Sequence, residues 1–250
     1  GMPVLMLYNF GAAILRAVGD TRRPLYFLFA AGAVNVVLNL FFVIGLGMGV
    51  DGVAWATVIS EHISAFLVFK SLMAEEGMMK LHLKKLTIHM DKLKRIVKIG
   101  LPAGMQGAIF SVSNVLIQSS VNSFGSIAMA GSTASANVEG FVYNAMNAVY
   151  QTTLSFTSQN YGAVKMDRVT KILLDCLGLV VLVGVVMGGG AVLLGPKLLQ
   201  IYSSDPEVIS YGMMRMRIIN GSYFLCGIMD TMVGGLRGLG HSVVPMLVSL

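Results

Sequence analysis

The sequence predicts an all-α fold, a bundle of helices embedded in a membrane, and three observations carry that prediction. Apolar residues make up 55% of the 250-residue chain and charged residues only 12%, about half the charged share of an ordinary soluble domain. Apolar runs recur along the chain, and a run of about 20 residues crosses the roughly 30 Å of bilayer hydrocarbon as a helix. The connections between these runs alternate between strongly basic and nearly free of Lys and Arg. Mean hydropathy is +0.75. Helix is the state open to such runs, because a strand or loop in lipid would leave backbone N–H and C=O groups unpaired.

Taken in order, a partial span occupies residues 1–18. It has no basic start and no small-residue cleavage site, so it reads as a helix already under way and not as a signal peptide. Complete spans are expected at 24–47, 52–73, 96–124, 131–158, 172–202 and 208–235, and 243–250 opens another, so the sequence reads as open at both ends. On one side of these spans fall Arg16, Arg22 and Arg23, the basic residues of 70–98, then Lys165, Arg168 and Lys171, then Arg237. The other side, at 47–52, 122–131 and 203–207, is nearly free of Lys and Arg; Lys197, Arg215 and Arg217 are the basic residues closest to it. The positive-inside rule makes the first side cytoplasmic. The same alternation accounts for the net charge of +6 without a nucleic-acid partner. Cys176 and Cys226 lie inside apolar runs, offer neither a disulfide framework nor a metal spacing, and read as packing residues.

The longest connection, 74–95, places Leu83, Leu86, Met90 and Leu93 at three- and four-residue spacing among basic residues. Two readings stand: a helix lying on the cytoplasmic leaflet and drawn to anionic lipid, or a solvated linker between two halves.

A self-match shows an internal repeat. Leu15-Arg16-Ala17-Val18-Gly19 runs on to Pro24-Leu25, and Leu236-Arg237-Gly238-Leu239-Gly240 runs on to Pro245-Met246. In each copy the Gly is placed to close one helix with a left-handed cap, the Pro to start the next, and the Arg to sit in a last turn that favours a cation. Both copies fall on the cytoplasmic side. The repeat is therefore parallel, with a period of about six helices, an arrangement transporters use to place a substrate site between halves. A two-lobed protein of about twelve spans follows. Residues 1–73 would end the amino-terminal lobe, 74–95 would link, and 96–250 would supply most of the carboxy-terminal lobe.

Charge inside a span costs roughly 2.5–3.5 kcal/mol on insertion scales, so embedded acids are candidates for function. Glu139 heads a four-residue frame with Tyr143, Asn147 and Gln151, and the preceding span carries Gln106, Asn114, Gln118 and Asn122 on a similar frame. The two polar faces are expected to meet each other or a water-filled cavity, with interhelical hydrogen bonding as the plainer alternative. Asp230 lies mid-span, seven residues before Arg237, with access to a cavity or an Arg partner. Glu61 beside His62 is a candidate proton-sensitive pair, with helix contact as the alternative. Asn35 and Asn39 share a helix face and offer carbonyl oxygens to a cation, with the Thr57 hydroxyl in addition. Because the embedded charges are acidic, the expected ligand is a cation. A carboxylate in an apolar pocket also exchanges a proton at cellular pH, so H+ or Na+ and a cationic substrate would compete for one group, which is the chemistry of an antiporter. Gly184 and Gly188 to Gly190 permit close packing or bending.

On several of these stretches the chain resembles the multidrug and toxic compound extrusion (MATE) family, especially its bacterial DinF-like branch. The matching stretches are 15–24; Asn-Val-Val-Leu-Asn at 35–39; Gly-Met-Gly-Val-Asp-Gly-Val-Ala-Trp-Ala-Thr at 47–57; Gly-Leu-Pro-Ala-Gly at 100–104; 128–131 through 137–143; Gln-Asn-Tyr-Gly-Ala at 159–163; and 236–245. The resemblance implies a twelve-helix, two-lobed fold in which this chain runs from the fourth helix to the start of the eleventh. It places Asn35, Asn39 and Thr57 where amino-terminal-lobe cation ligands occur in related transporters, with Asn39 in place of an Asp that some carry. Glu139 and Asp230 are similar in kind to acidic residues of the other lobe, at positions that do not align cleanly with the sodium-site pattern.

The expected activity is cation-coupled export of lipophilic, mainly cationic drugs across the bacterial cytoplasmic membrane, by a transporter that is monomeric when full length. No cofactor is expected beyond the coupling ion, H+ or Na+, and no metal. A lipid-linked oligosaccharide flippase of the same superfamily is the alternative, although an anionic pyrophosphate lipid would require cavity cations. An enzyme is excluded by the lack of a zinc motif, a paired-Asp motif or a placed Ser nucleophile.

Overall fold

The computed structural model describes residues 1–75, 80–82 and 87–248. Among them are eight α-helices and no strand: α1 (Met2–Ala17), α2 (Arg22–Leu40), α3 (Val50–Ala74), α4 (Met90–Asn122), α5 (Ser126–Gly162), α6 (Met166–Gln200), α7 (Pro206–Gly238) and α8 (Val243–Val248). One helix stands at every span expected from hydropathy. The helices that lengthen most are those whose ends are polar, since hydropathy detects the hydrocarbon-crossing part and not the turns that reach into the headgroup layer. Of the apolar residues expected to form a surface helix, Leu83 and Leu86 lie outside the described residues, and Met90 and Leu93 belong to the first turns of α4. The chain divides into two compact units, Gly1–Ile88 and His89–Leu250.

In the first unit α3 packs on both α1 and α2. Tyr8, Ala12 and Leu15 form one buried stripe of α1 against Ala65, Val68 and Leu72 of α3, at helical three- and four-residue spacing. α2 continues through a wider π-type turn, Phe41–Gly45, before the chain reverses. The α1–α2 corner is capped from both sides. The Asp20 amide donates to the Leu15 carbonyl at 3.0 Å, with Gly19 at φ +91°, and the Asp20 carboxylate accepts the Arg22 and Arg23 amides, both at 3.1 Å. The Arg23 guanidinium pairs with Asp20 and with Glu75 at the end of α3. Slight burial works against the charged form of Asp20. The Arg23 amide, guanidinium and charge, with the Arg22 amide, outweigh it and hold the carboxyl below the ordinary carboxylate range.

In the second unit α5, α6 and α7 pack mutually around Val138, Val142, Met146, Val180, Leu199 and Met216. Small residues set the crossings. A Cβ on Gly131 would stand 2.5 Å from the Val208 carbonyl oxygen, and one on Gly184 would stand 2.9 Å from the Phe224 backbone. Among the described residues, α2 with its π-type extension, α3, α4 and α6 are long and apolar enough to be identified as membrane-crossing on length and composition. α5 and α7 fall outside that set because polar residues such as Thr133, Asn137, Asn144 and Gln151 in α5 and Arg215, Arg217 and Asp230 in α7 interrupt their apolar runs.

The two copies of the sequence repeat adopt one geometry. Gly19 and Gly240 have φ +91° and +89°. The next amide in each copy, Asp20 or His241, donates to the carbonyl of the Leu five residues earlier, at 3.0 and 2.9 Å. This is the Schellman-type ending that the Leu-Arg-x-x-Gly frame implies. The same ending recurs at Val164, a β-branched residue held at φ 59° after α5.

Candidate functional site

The polar residues of the second unit sort into a closed cluster and an open face. Ser132, Ser135 and Glu139 lie on the buried side of α5, and Arg215 reaches them from α7. Arg215 Nε and Nη2 donate to the two Glu139 carboxylate oxygens, each at 3.1 Å. Ser135 Oγ donates to Glu139 Oε1 at 2.7 Å, and Arg215 Nη1 donates to Ser132 Oγ at 2.8 Å. Glu139 is 6% exposed. Sequence reasoning expected an uncompensated negative charge here. The structure corrects this: Glu139 is neutralised by a forked ion pair, the geometry a planar guanidinium favours. Arg215 was visible as a basic residue near the outer side, but its lying deep enough in α7 to meet Glu139 depends on how the two helices cross.

Asp230 stands differently. It is half-buried on α7, and its carboxylate takes part in none of the side-chain hydrogen bonds or ion pairs found among the described residues. Tyr223, two turns earlier, lies within electrostatic reach of Glu139, Tyr143 and Asp230. Arg237, the partner expected for Asp230 as the alternative to a cavity, acts on it electrostatically but donates its hydrogen bonds to the Tyr150 hydroxyl at 2.7 Å and to Gln106 Oε1 at 2.6 Å. Gln106 is the buried residue of α4.

The four-residue frame headed by Glu139 does not keep to one face. Each four-residue step turns about 40° around a helix, so Gln151 stands about 120° from Glu139. The frame therefore leaves the buried side: Tyr143 and Gln151 are exposed and Asn147 half-buried. They join exposed Thr133, Asn137 and Asn144 on one polar face of α5. On α4, Gln118 Nε2 donates to Asn122 Oδ1 at 2.9 Å, and Asn114 is exposed. Gln118 and Asn122 meet Thr133, Asn137 and Tyr202 around an open pocket of about 390 Å³, not the Glu139 end of the frame. A second pocket of about 440 Å³, lined by Phe141, Met187 and Leu194 among others, is almost wholly apolar.

In the first unit Asn39 Nδ2 donates to Asn35 Oδ1 at 2.9 Å, Asn35 Nδ2 to Ser60 Oγ at 3.2 Å, and Ser60 Oγ to the Thr57 carbonyl at 2.9 Å. This relay joins α2 to α3 and leaves Asn39 Oδ1 buried with no partner among the described residues. Ser60 was missed by the sequence, which showed no reason to prefer it over other small residues of α3. The Thr57 hydroxyl donates to its own helix at the Val53 carbonyl, 2.9 Å, so it is not turned toward the two asparagines as expected. His62 Nδ1 lies 2.7 Å from the Val58 carbonyl, so its ring is engaged there and not in a pair with Glu61.

A forked ion pair held between helices, in a chain with several helices long and apolar enough to cross a bilayer, defines a polytopic helical membrane protein. The model of the MatE family matches residues 102–250, more than half of the chain, and the chain belongs to that family, the multidrug and toxic compound extrusion transporters. It is similar to the probable multidrug resistance protein NorM of Thermotoga maritima, 26% identical over all of this chain and 54% of that protein. It is equally similar to the probable multidrug resistance protein YpnP of Bacillus subtilis, 26% identical over all of this chain and 56% of that protein. Among solved structures, a crystal structure of MATE in complex with MaL6 superposes with a TM-score of 0.90 at 18% identity, over 98% of this chain and 56% of that one. The chain spans about half the length of the curated relatives it matches, and about half of the 12-helix fold. Members of this family are transporters, not enzymes.

Proposed function

We propose that the whole protein is an H+- or Na+-coupled antiporter that exports lipophilic, mainly cationic compounds across the bacterial cytoplasmic membrane by alternating access. It acts as a monomer and needs no cofactor other than the coupling ion. The observation that carries this reading is Asp230, a half-buried carboxylate in a membrane-spanning helix that forms no ion pair among the described residues and feels Arg237 only through space. Such a group is costly in a bilayer unless a mobile cation visits it. Two ligands that compete for it, a coupling ion and a cationic substrate, displace each other, and alternating access then separates the two exchanges in space.

The other residues take supporting roles. Tyr143, Asn147 and the remaining polar face of α5 line the aqueous path, with Asn114 and Gln118 of α4 towards its outer end. In the first unit the unpartnered Asn39 oxygen, oriented through Asn35, is the acceptor offered to a cation. Glu139 and Arg215 hold α5 to α7. Arg215 and Arg237, cations an anionic lipid-linked substrate would require, are both engaged by protein groups, which favours export of cations over the flippase reading.

The test uses the full-length protein in vesicles with an imposed H+ or Na+ gradient and a fluorescent lipophilic cation. Asp230→Asn is expected to lower gradient-driven transport at least tenfold while binding of the protein to the bilayer and its folding persist. Undiminished transport by Asp230→Asn would remove this residue from the mechanism, and transport that ignores both gradients would remove antiport.

A further inference from the structure

α4 is longer than a bilayer needs. Its 33 residues extend about 50 Å at 1.5 Å per residue, against roughly 30 Å of hydrocarbon. The surplus at the amino-terminal end has a two-faced composition that a helix inside hydrocarbon does not require. With roughly 100° per residue, Ile96, Leu93, Val97 and Met90 fall within one arc of about 120°. Lys94, Lys98, Arg95 and Lys92 occupy the opposite side. The four apolar residues are 61%, 39%, 48% and 59% exposed. The four basic residues are exposed as well, and none of the ion pairs found among the described residues involves them. Asp91 is the acidic side chain on this stretch.

We infer that the first turns of α4 form a binding surface for anionic phospholipid headgroups of the cytoplasmic leaflet, with Lys92, Lys94, Arg95 and Lys98 on the phosphates and Met90, Leu93, Ile96 and Val97 in the acyl region beneath. Charge complementarity selects this occupant: a cluster of cations above an apolar arc matches the boundary of an acidic leaflet, whereas nucleic acid or an acidic protein would leave the apolar arc in water. The contact would fix the depth at which α4 enters the membrane. It stands independently of the transport cycle proposed above.

The test reads lipid selection at this helix in the full-length protein, reconstituted with Trp55→Phe, any tryptophan outside this chain also replaced by Phe, and Ile96→Trp, so that one tryptophan reports from the site. A Trp55→Phe/Leu182→Trp variant reports from an exposed position within α6. Quenching is compared between brominated phosphatidylglycerol and brominated phosphatidylcholine. The site tryptophan is expected to be quenched several-fold more effectively by the anionic lipid, and the α6 tryptophan equally by both. Each basic residue neutralised is expected to reduce the preference up to about fivefold, so a quadruple Gln variant should lose it and Lys→Arg replacements should keep it. On the unmodified surface, raising NaCl should also erode the preference, and inorganic phosphate should do no more than its ionic strength predicts. Equal quenching by the two lipids, a preference unmoved by salt, or one that survives in the quadruple variant would each overturn the inference.

Discussion

Two acidic side chains of α5 and α7 look alike in sequence and differ completely in setting. Glu139 has a guanidinium, a serine and almost no solvent around it; Asp230 forms no ion pair among the described residues. The Glu139–Arg215 pair is therefore read as a fastening between helices. Removing one partner leaves the other charge uncompensated, which costs about 3–5 kcal/mol for a fully buried pair. Arg215 keeps 27% of its side-chain surface exposed, and water there relieves part of that penalty, so Glu139→Gln is expected to destabilise by about 2–3 kcal/mol. Glu139→Leu combined with Arg215→Met, which removes both charges, should recover much of the loss. Unfolding of the three proteins in one detergent checks this; a double variant less stable than Glu139→Gln would contradict it.

At the scale of the helix, side-chain volume decides where two elements can cross. In α6, Gly184 and Gly188 press against the α7 backbone at Phe224 and Asn220, whereas Gly189 faces open space. Substitution should separate these positions. Gly184→Ala would place a methyl 2.9 Å from the Phe224 Cα, so the helices must part and stability should fall by about 1–3 kcal/mol. Gly189→Ala meets nothing and should be neutral or stabilising by up to about 1 kcal/mol, since alanine is the better helix former. Thermal unfolding in detergent distinguishes the two, and an equal loss at both positions would refute the assigned crossing. The polar face of α5 belongs to this scale as well. Its four-residue frame was visible in the sequence, but the drift of that frame around the helix carries Glu139 to the protein side and Gln151 to the open side.

Across the whole molecule, the repeated corner shows that the two units end equivalent helices by the same means. Gly19 and Gly240 share a left-handed φ, and a Cβ at either would meet no neighbouring atom. Backbone conformation alone should then set the cost of replacement. Gly19→Ala and Gly240→Ala are each expected to cost about 1–2 kcal/mol, by similar amounts. Strongly unequal losses in the full-length protein would indicate that one corner is held by contacts the other lacks.

The sequence by itself determined the class of fold, the helix order and the repeat, because each follows from local quantities: hydropathy over a span, charge in a connection, and a Gly that a left-handed cap requires. It also marked the acidic and amide residues worth examining. Only the tertiary structure decided which of them are satisfied. Arg215 and Glu139 are 76 residues apart, and Arg237 and Gln106 are 131 apart. Whether such groups meet depends on crossing angles and on rotation about each helix axis. Those are set by the fit of small residues between helices, and no spacing along the chain encodes that fit.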